Sequence, residues 1–338
     1  MKGEMEMTED VVIVGAGIAG LATAVALKRV GVRALVLERS QGLRSTGAAI
    51  SLFPNAWLAL HALGVSHKLT RIYDPLCKGY VTNVSTGDVQ QVLFPAGQGP
   101  RAVHRKALLE ALAKELPADS IRFSSKLAAI ESQEQGGGAS IAVVHLEDGT
   151  VIKSKVLIGC DGLHSVVARW LGLAEPVHSG RSAVRGLAIF PQGYGFKQEV
   201  QQHPWGIIFG NLSKGNITVA GDAMHPMTPD LGQGGGLALE DAVVLGRHIG
   251  NSVVKNEGLV VPGDMAKAIN DYVKERRWRA AGMVIGSYLS GWVQQGGAKW
   301  WMNFLRDGVF YKYVFGWVAR RVHYDCGELP AVSSAKED

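Results

Sequence analysis

The 338-residue sequence predicts an α/β fold built around a parallel sheet. Three observations predict it. The apolar run Val11–Val14 ends in glycine, is followed by a helical stretch, and leads to a second buried run at Arg33–Leu37, a strand–helix–strand unit of the parallel type. A further apolar run, Val156–Cys160, ends at Asp161-Gly162. Another, Asn216–Ala220, runs into Gly221-Asp222, a glycine-rich loop and a helix.

The remaining elements follow in order. Leu21–Val30 reads as a helix with small residues on one side, stopped by Gly31. Asn55–Leu63 and Arg105–Leu116 have helical spacing, the second with Leu108, Leu109, Leu112 and Leu116 on one face. Ser120–Ile130 and Ser140–Leu146 read as strands, and Glu147-Asp148-Gly149 turns the chain into Val151–Lys153. Gln133–Gly138 is a loop tip. Ser182–Phe190, Trp205–Phe209 and Ile217–Ala220 are strand candidates, and from Leu237 onward the chain is mostly helical. No internal repeat is visible.

Composition narrows the class. A chain with 47% hydrophobic and 19% charged residues folds as a soluble globular protein, with one large or two modest domains. Its three cysteines (Cys77, Cys160, Cys326) form neither a disulfide framework nor a metal-binding pair, which fits a reducing compartment. The acidic start MKGEMEMTED offers no signal peptide and no apolar run is long enough to span a membrane, so a cytoplasmic location is expected, with an organelle still open. The net charge of +5 is scattered: an ordinary basic surface or a preference for an anionic ligand, with nothing that points to nucleic acid. The denser patch Lys274, Glu275, Arg276, Arg277, Arg279 reads as a solvated helix face.

Three motifs carry chemistry. In Gly15-Ala16-Gly17-Ile18-Ala19-Gly20, Gly15 permits a tight turn, Gly17 lets a pyrophosphate approach the backbone, and Gly20 lets helix and strand pack closely. The phosphates would meet the free N–H groups of the helix start. Glu38 ends the second strand 18 residues after Gly20, where a carboxylate can accept from both hydroxyls of a ribose; Arg39 follows it. This motif indicates an adenine dinucleotide without separating NAD from FAD. The second motif, Asp161-Gly162-Leu163-His164-Ser165, is either a ligand-facing corner or a helix cap made by Asp161 or Ser165. In the third, Asp222 can accept from a ribityl or ribose hydroxyl, and Gly232, Gly234, Gly235 and Gly236 bring bare N–H groups to a helix start, an anion site suited to a reduced flavin. Pro226 and Pro229 would stiffen the loop against the ring, and Glu240-Asp241 could anchor the helix. The bland reading is a glycine-rich surface loop.

Together and in this order, the motifs resemble the class A flavoprotein monooxygenases, FAD-dependent enzymes of the aromatic hydroxylase type, and most closely the plant proteins similar to salicylate hydroxylase and zeaxanthin epoxidase. "VVIVGAGIAGLATAVAL", "LVLERS", "STGAAISLFPNAWLAL", "VHRKALLEAL", "VLIGCDGLHSVVARWLG", "GNITVAGDAMHPMTPDLGQGGGLALEDA" and "YDCGELP" carry the resemblance, which spans nearly the whole chain. It implies a Rossmann-like FAD-binding domain of the glutathione-reductase type (8–75, 101–175 and 216–255), a truncated antiparallel substrate sheet (76–100 and 176–215) and C-terminal helices (256–330). It implies one FAD, NAD(P)H as transient co-substrate, O2, and hydroxylation or epoxidation of a small aromatic or alkene through a flavin C4a-hydroperoxide. Carried over, Gly15, Gly17, Ile18, Ala19, Gly20, Glu38 and Arg39 would hold the ADP half of FAD and Arg105 would contact the cofactor. Asp161 and Gly162 would serve FAD and NAD(P)H, Asp222 the ribityl-phosphate region, and Pro229, Gly232, Gly234 and Gly235 the isoalloxazine. The cofactor does the chemistry, so no protein catalytic residue and no metal are expected. His225 reads as structural, His104 and His164 as loop or surface residues, and Cys160 as a buried small hydrophobe. The late aromatics (Trp300, Trp301, Phe304, Phe310, Tyr311, Phe315, Trp317), with Lys299, Arg320 and Arg321, read as helix packing or as a membrane-surface contact.

The chain departs from the family between Asp161 and Asp222. Only 61 positions separate them, with a break near Gln202-His203, so much of the substrate sheet is expected to be missing and exposed strand edges could promote association. Three activities then compete: a monooxygenase, active or impaired to an uncoupled NAD(P)H oxidase; a related flavin reductase or dehydrogenase; and a catalytically silent FAD-binding protein.

Overall fold

β1 (Glu6–Val14) buries its last four residues completely or nearly so, because it runs between two parallel neighbours at the centre of the sheet. The computed structural model describes residues 6–44, 49–82, 87, 89–135, 139–177, 211–295 and 323–331. After β1 come α1 (Ile18–Arg29), β2 (Ala34–Leu37), β3 (Ala49–Leu52), α2 (Pro54–Ala62) and α3 (Ser66–Thr70). Then follow β4 (Lys78–Thr82), β5 (Val89–Leu93), β6 (Arg101–His104), α4 (Arg105–Ala113), β7 (Ile121–Arg122), β8 (Leu127–Gln135), β9 (Ala139–Leu146), β10 (Val151–Gly159) and α5 (Val166–Trp170). The described chain continues with β11 (Ser213–Lys214), β12 (Ile217–Val219), α6 (Gly234–Lys255) and α7 (Pro262–Gln295).

The main sheet has the order β11–β12–β10–β1–β2–β7, and β12, β10, β1, β2 and β7 are mutually parallel. β9 pairs antiparallel with the first half of β10, and β8 with β9. This arrangement makes one strand of the two expected at Val151–Lys153 and Val156–Cys160. β10 alternates in burial where β9 covers one edge and becomes continuously buried where β12 replaces it.

Helices close the faces. α1 lies against α6 at small-residue contacts: a Cβ added to Gly246 would fall 2.6 Å from Ala26 Cβ, and one added to Gly250 would fall 2.7 Å from Val30 Cγ1. Tyr324–Pro330 then crosses α6, with Leu329 and Pro330 against the same two glycines and Cys326 buried. This part of the expected C-terminal helical region is not helical. α7 presents Met265, Ile269, Tyr272, Arg276 and Met283 to the core.

Other expectations need correcting. The single strand expected over Ser120–Ile130 is two, β7 and β8. Between them Ser124 takes φ 53°, and Ser124 and Ser125 donate backbone N–H groups to the carbonyls of Ser40 and Glu38. Ser213–Lys214, placed by sequence with the substrate sheet, pairs with β12 in the main sheet. The patch at Lys274–Arg279 is not a solvated face throughout, since Arg276 is fully buried. In the 76–100 stretch, β4 and β5 pair with each other and, among the described residues, with no other strand. The strand candidates Ser182–Phe190 and Trp205–Phe209, the break at Gln202-His203 and the aromatics from Trp300 to Trp317 lie outside the described residues. Among the described residues, no helix is long and apolar enough to cross a membrane.

Candidate functional site

The parallel strands β1 and β10 both end where helices begin, and a single trough of about 440 Å3 opens there, outside the carboxyl ends of the sheet. Its wall brings together Gly15, Ala16, Gly17, Ile18 and Ala19 from the first motif, Glu38 and Arg39 from the end of β2, and Arg105 from α4. It also includes Asp161 and Gly162 after β10, and Asp222, Gly234 and Gly235 from the third motif. Gly20, Pro229 and Gly232 are not on the wall. Gly20 faces inward, and a Cβ there would lie 1.9 Å from the Gly15 carbonyl oxygen. Pro229 opens a short turn that Gly232 closes in a left-handed conformation, donating its N–H to the Pro229 carbonyl.

Two helix starts meet the trough without side-chain caps. α1 begins at Ile18 after Gly17, and α6 at Gly234 after Gln233, and neither cap residue's side chain accepts from its helix. The first N–H groups of each helix are therefore available to a ligand, with the positive end of each helix dipole aimed at it. A Cβ added to Gly17 would meet nothing within 4 Å, so this glycine borders open space. The chemistry of these two ends suits a long ligand with a pyrophosphate at one end and a polar, charge-accepting ring at the other.

Glu38 is fixed before any ligand arrives. Ala16 and Ser40 donate their backbone N–H groups to its two carboxylate oxygens at 2.8 and 2.9 Å. Burial alone would raise this carboxyl, but donation from Ser40 and Ala16 wins and holds it below the usual carboxylate range. Asp161 does what the capping alternative expected: it accepts from Ser165 Oγ at 2.5 Å and Val166 N–H at 2.6 Å, while Ser165 Oγ accepts from Ala168 N–H. Desolvation raises the Asp161 carboxyl against those donors. Asp161 is thus both a cap for α5 and part of the trough wall. Burial, then the nearby Arg44, lowers the Arg105 guanidinium, while Asp222 and Glu38 oppose the shift.

Behind the third motif lies a buried ionic network. Asp241 Oδ2 accepts from Gly221 N–H at 2.9 Å and contacts His225 Nε2 at 2.5 Å, and its Oδ1 accepts from Arg276 Nε at 2.7 Å. Glu240 accepts from Arg276 Nη1 at 2.7 Å, Arg279 at 2.6 Å and Asn55 Nδ2 at 2.6 Å. Desolvation would raise both carboxyls, yet His225 and Arg276 hold Asp241, and Arg276 and Arg279 hold Glu240, below their ordinary values. The Tyr324 ring stacks on Arg279 at 3.9 Å and on Arg276 at 5.6 Å. Glu240-Asp241 thus ties α6 to α7 and to the Gly221 turn, and His225 is buried against Asp241.

Sequence reasoning missed several wall residues: Arg44, Ser125, Lys126 and Leu127. Ser125–Leu127 reach the trough through the irregular Ser124 turn, for which no local pattern exists. His164 is exposed, as expected, but it lies on the trough. Arg276 and Arg279 did carry a signal, because they continue the three-and-four spacing of Met265, Ile269 and Tyr272 toward Met283.

The chain matches the FAD binding domain family over residues 8–209 and 203–285. The two matched stretches overlap over 203–209, next to Gln202-His203. Monooxygenase 2 of Arabidopsis thaliana is 36% identical, with 96% of this chain and 99% of the relative covered. Monooxygenase 1 of the same plant is 33% identical, with 94% and 99% covered. The alignment to Monooxygenase 2 is 410 positions long, more than the 338 residues of the chain, so the relative has residues without a counterpart here. Among solved structures, Klebsiella pneumoniae HpxO complexed with FAD and uric acid superposes with a TM-score of 0.70 at 22% identity, covering 97% of this chain and 99% of that one, which shows a shared fold. The chain belongs to the FAD binding domain family, among the FAD-dependent monooxygenases.

Proposed function

We propose that the trough holds one FAD end to end and that the chain uses it, with NAD(P)H and O2, as a monooxygenase-type oxidoreductase weighted toward uncoupled NAD(P)H oxidation. The observation that carries this reading is the pair of uncapped helix starts, at Gly17 and Gly234, on one continuous trough.

In this reading Gly15, Gly17, Ile18 and Ala19 bind the pyrophosphate through backbone N–H groups, and Gly20 keeps the turn tight. Glu38, oriented by Ala16 and Ser40, accepts from the adenosine ribose. Arg39 and Arg105 supply positive charge along the wall. Asp161 and Gly162 line the middle. Asp222 accepts from the ribityl side, and the start of α6 at Gly234 and Gly235 stabilises negative charge on the ring, with Pro229 and Gly232 shaping the preceding loop. Bound FAD supplies two-electron redox chemistry and the activation of oxygen. No side chain on the wall is assigned as an acid, base or nucleophile.

Full monooxygenation would convert a small aromatic or alkene, O2, NAD(P)H and a proton into oxygenated product, water and NAD(P)+. That outcome depends on excluding water from the reacting end of the site. The elements expected to do so lie at 76–100 and 176–215. The resemblance expects a large sheet there, but only 61 positions separate Asp161 from Asp222, and Monooxygenase 2 has residues without a counterpart in this chain. The expected product from NAD(P)H, H+ and O2 is therefore mainly hydrogen peroxide with NAD(P)+. Incubation under 18O2 with small phenolic acids, with peroxide measured in parallel, checks this. Peroxide close to one equivalent per NAD(P)H supports the reading, and stoichiometric 18O in an organic product contradicts the uncoupling.

A further inference from the structure

Asn55, in the first turn of α2, is fully buried, and its Nδ2 donates to Gln233 Oε1 at 2.9 Å and to Glu240 Oε1 at 2.6 Å. Gln233 is the residue before α6 and is 1% exposed; Glu240 lies farther along the same helix, fully buried. The polarity of this chain of contacts is fixed from one end. Glu240 is a carboxylate paired with Arg276 and Arg279, so it only accepts. Asn55 must therefore turn its nitrogen toward Glu240, and Gln233 must show Asn55 its oxygen. The reverse orientation of the Asn55 amide would bring two oxygens together at 2.6 Å.

The helix start beside the trough depends on where that oxygen points. A residue in the position of Gln233 can turn a side-chain oxygen back onto the N–H groups of the first helical turn. The oxygen is close enough to do so: a Cβ added to Gly236, the third residue of α6, would lie 3.5 Å from Gln233 Oε1 and 3.0 Å from Asn55 Nδ2. Yet Gln233 makes no capping bond. Its oxygen is engaged by Asn55, and its Nε2 is without a partner among the described residues. An amide nitrogen cannot accept from an N–H group. The first turn therefore stays open at Gly234 and Gly235, which line the trough.

We propose that Asn55 is a positioning residue for the flavin: by holding Gln233 Oε1 off the start of α6, it keeps the first N–H groups of that helix free for the ring end of the ligand. The inference rests on the assignment of FAD to the trough. Without Asn55, the Gln233 oxygen loses its donor inside the core, and the N–H groups of the first turn are open donors close by. Gln233 then caps its own helix and competes with the ring. The loss falls mainly on reduced flavin, whose added negative charge the helix start stabilises. The adenosine end, at Gly17 and Glu38, is untouched.

The test is the two-electron midpoint potential of FAD bound to the purified full chain, with Kd for oxidised FAD and a thermal melt, for wild type, Asn55→Leu, Gln233→Leu and the double variant. Asn55→Leu keeps the side-chain volume, and Glu240 Oε1 keeps its bond from Arg279. This variant is expected to bind oxidised FAD within threefold of wild type and to lose tenfold in its preference for reduced over oxidised flavin, a fall of about 30 mV. Gln233→Leu and the double variant have no oxygen to turn back, so both are expected within twofold of the wild-type preference. The second substitution thus restores what the first removed, which a packing defect at Asn55 would not show. An Asn55→Leu preference within twofold of wild type overturns the proposal, as does a double variant no better than Asn55→Leu or a tenfold loss from Gln233→Leu alone. Asn55→Ala is measured if Asn55→Leu fails to fold, and failure of both to fold also overturns the proposal. A wild-type chain that binds no FAD overturns the cofactor assignment itself, and the role of Asn55 with it.

Discussion

Replacing Arg276 by alanine is expected to destabilise the cofactor-free chain by about 3–5 kcal/mol, the cost of leaving buried carboxylates without their counter-ion. The guanidinium is at zero exposure and donates to Asp241 through Nε and to Glu240 through Nη1, both at 2.7 Å. It also stacks on Tyr324 at 5.6 Å, which ties the Tyr324–Pro330 segment to α7. With the arginine gone, Asp241 keeps His225 and Glu240 keeps Arg279, but neither recovers its second ion pair. Surface charges on the same helix behave differently. Lys274, 60% exposed and paired with Asp271, should be replaceable at a cost well under about 1 kcal/mol. Chemical denaturation of both variants checks the contrast, and an Arg276→Ala loss under about 1 kcal/mol would show the network to be energetically idle.

Gly20→Val is expected to disrupt the turn between β1 and α1 and to abolish FAD binding, at a cost of about 3 kcal/mol or more for overpacking a site that cannot relax. The added Cβ would lie 1.9 Å from the Gly15 carbonyl oxygen. That oxygen cannot move aside, because Gly15 sits at φ +103°, donates its N–H to the Leu37 carbonyl at 2.7 Å, and lies under Cys160. Soluble expression and the thermal melt of the variant report the outcome. A folded Gly20→Val chain that binds FAD normally would mean that the turn has slack the structure does not show.

Where local pattern and tertiary environment agree, the chain is readable from its sequence. β1, α1 and β2 follow from an apolar run, a glycine turn and a second apolar run, because a parallel sheet buried on both faces demands them. The two ends of the trough were legible too, because the glycine motifs put Gly17 and Gly234 beside the starts of α1 and α6. What was not legible depended on distant partners. The Ser124 turn exists because Ser40 and Glu38 supply carbonyl acceptors more than eighty positions upstream, and it alone brings Lys126 to the wall. Arg276 looked like one member of a basic run, although its partners Glu240 and Asp241 lie on another helix. Its place in the repeat of buried α7 residues was the available clue. β10 was split in two because its first half is half-covered and its second half fully covered, so one strand shows two periodicities.

The central claim is that a single trough grips one FAD from both ends. Stoichiometric titration of FAD into the purified chain, into Gly17→Val and into Gly234→Val tests it most directly. Neither added Cβ meets an atom closer than 3.7 Å, so both variants should fold, yet each side chain would fill space at one of the two helix starts. The account predicts one equivalent of FAD for wild type and a loss of at least a hundredfold in affinity from either substitution alone. A wild-type chain that stays colourless, or a Gly234→Val chain that binds as wild type while Gly17→Val does not, would contradict it.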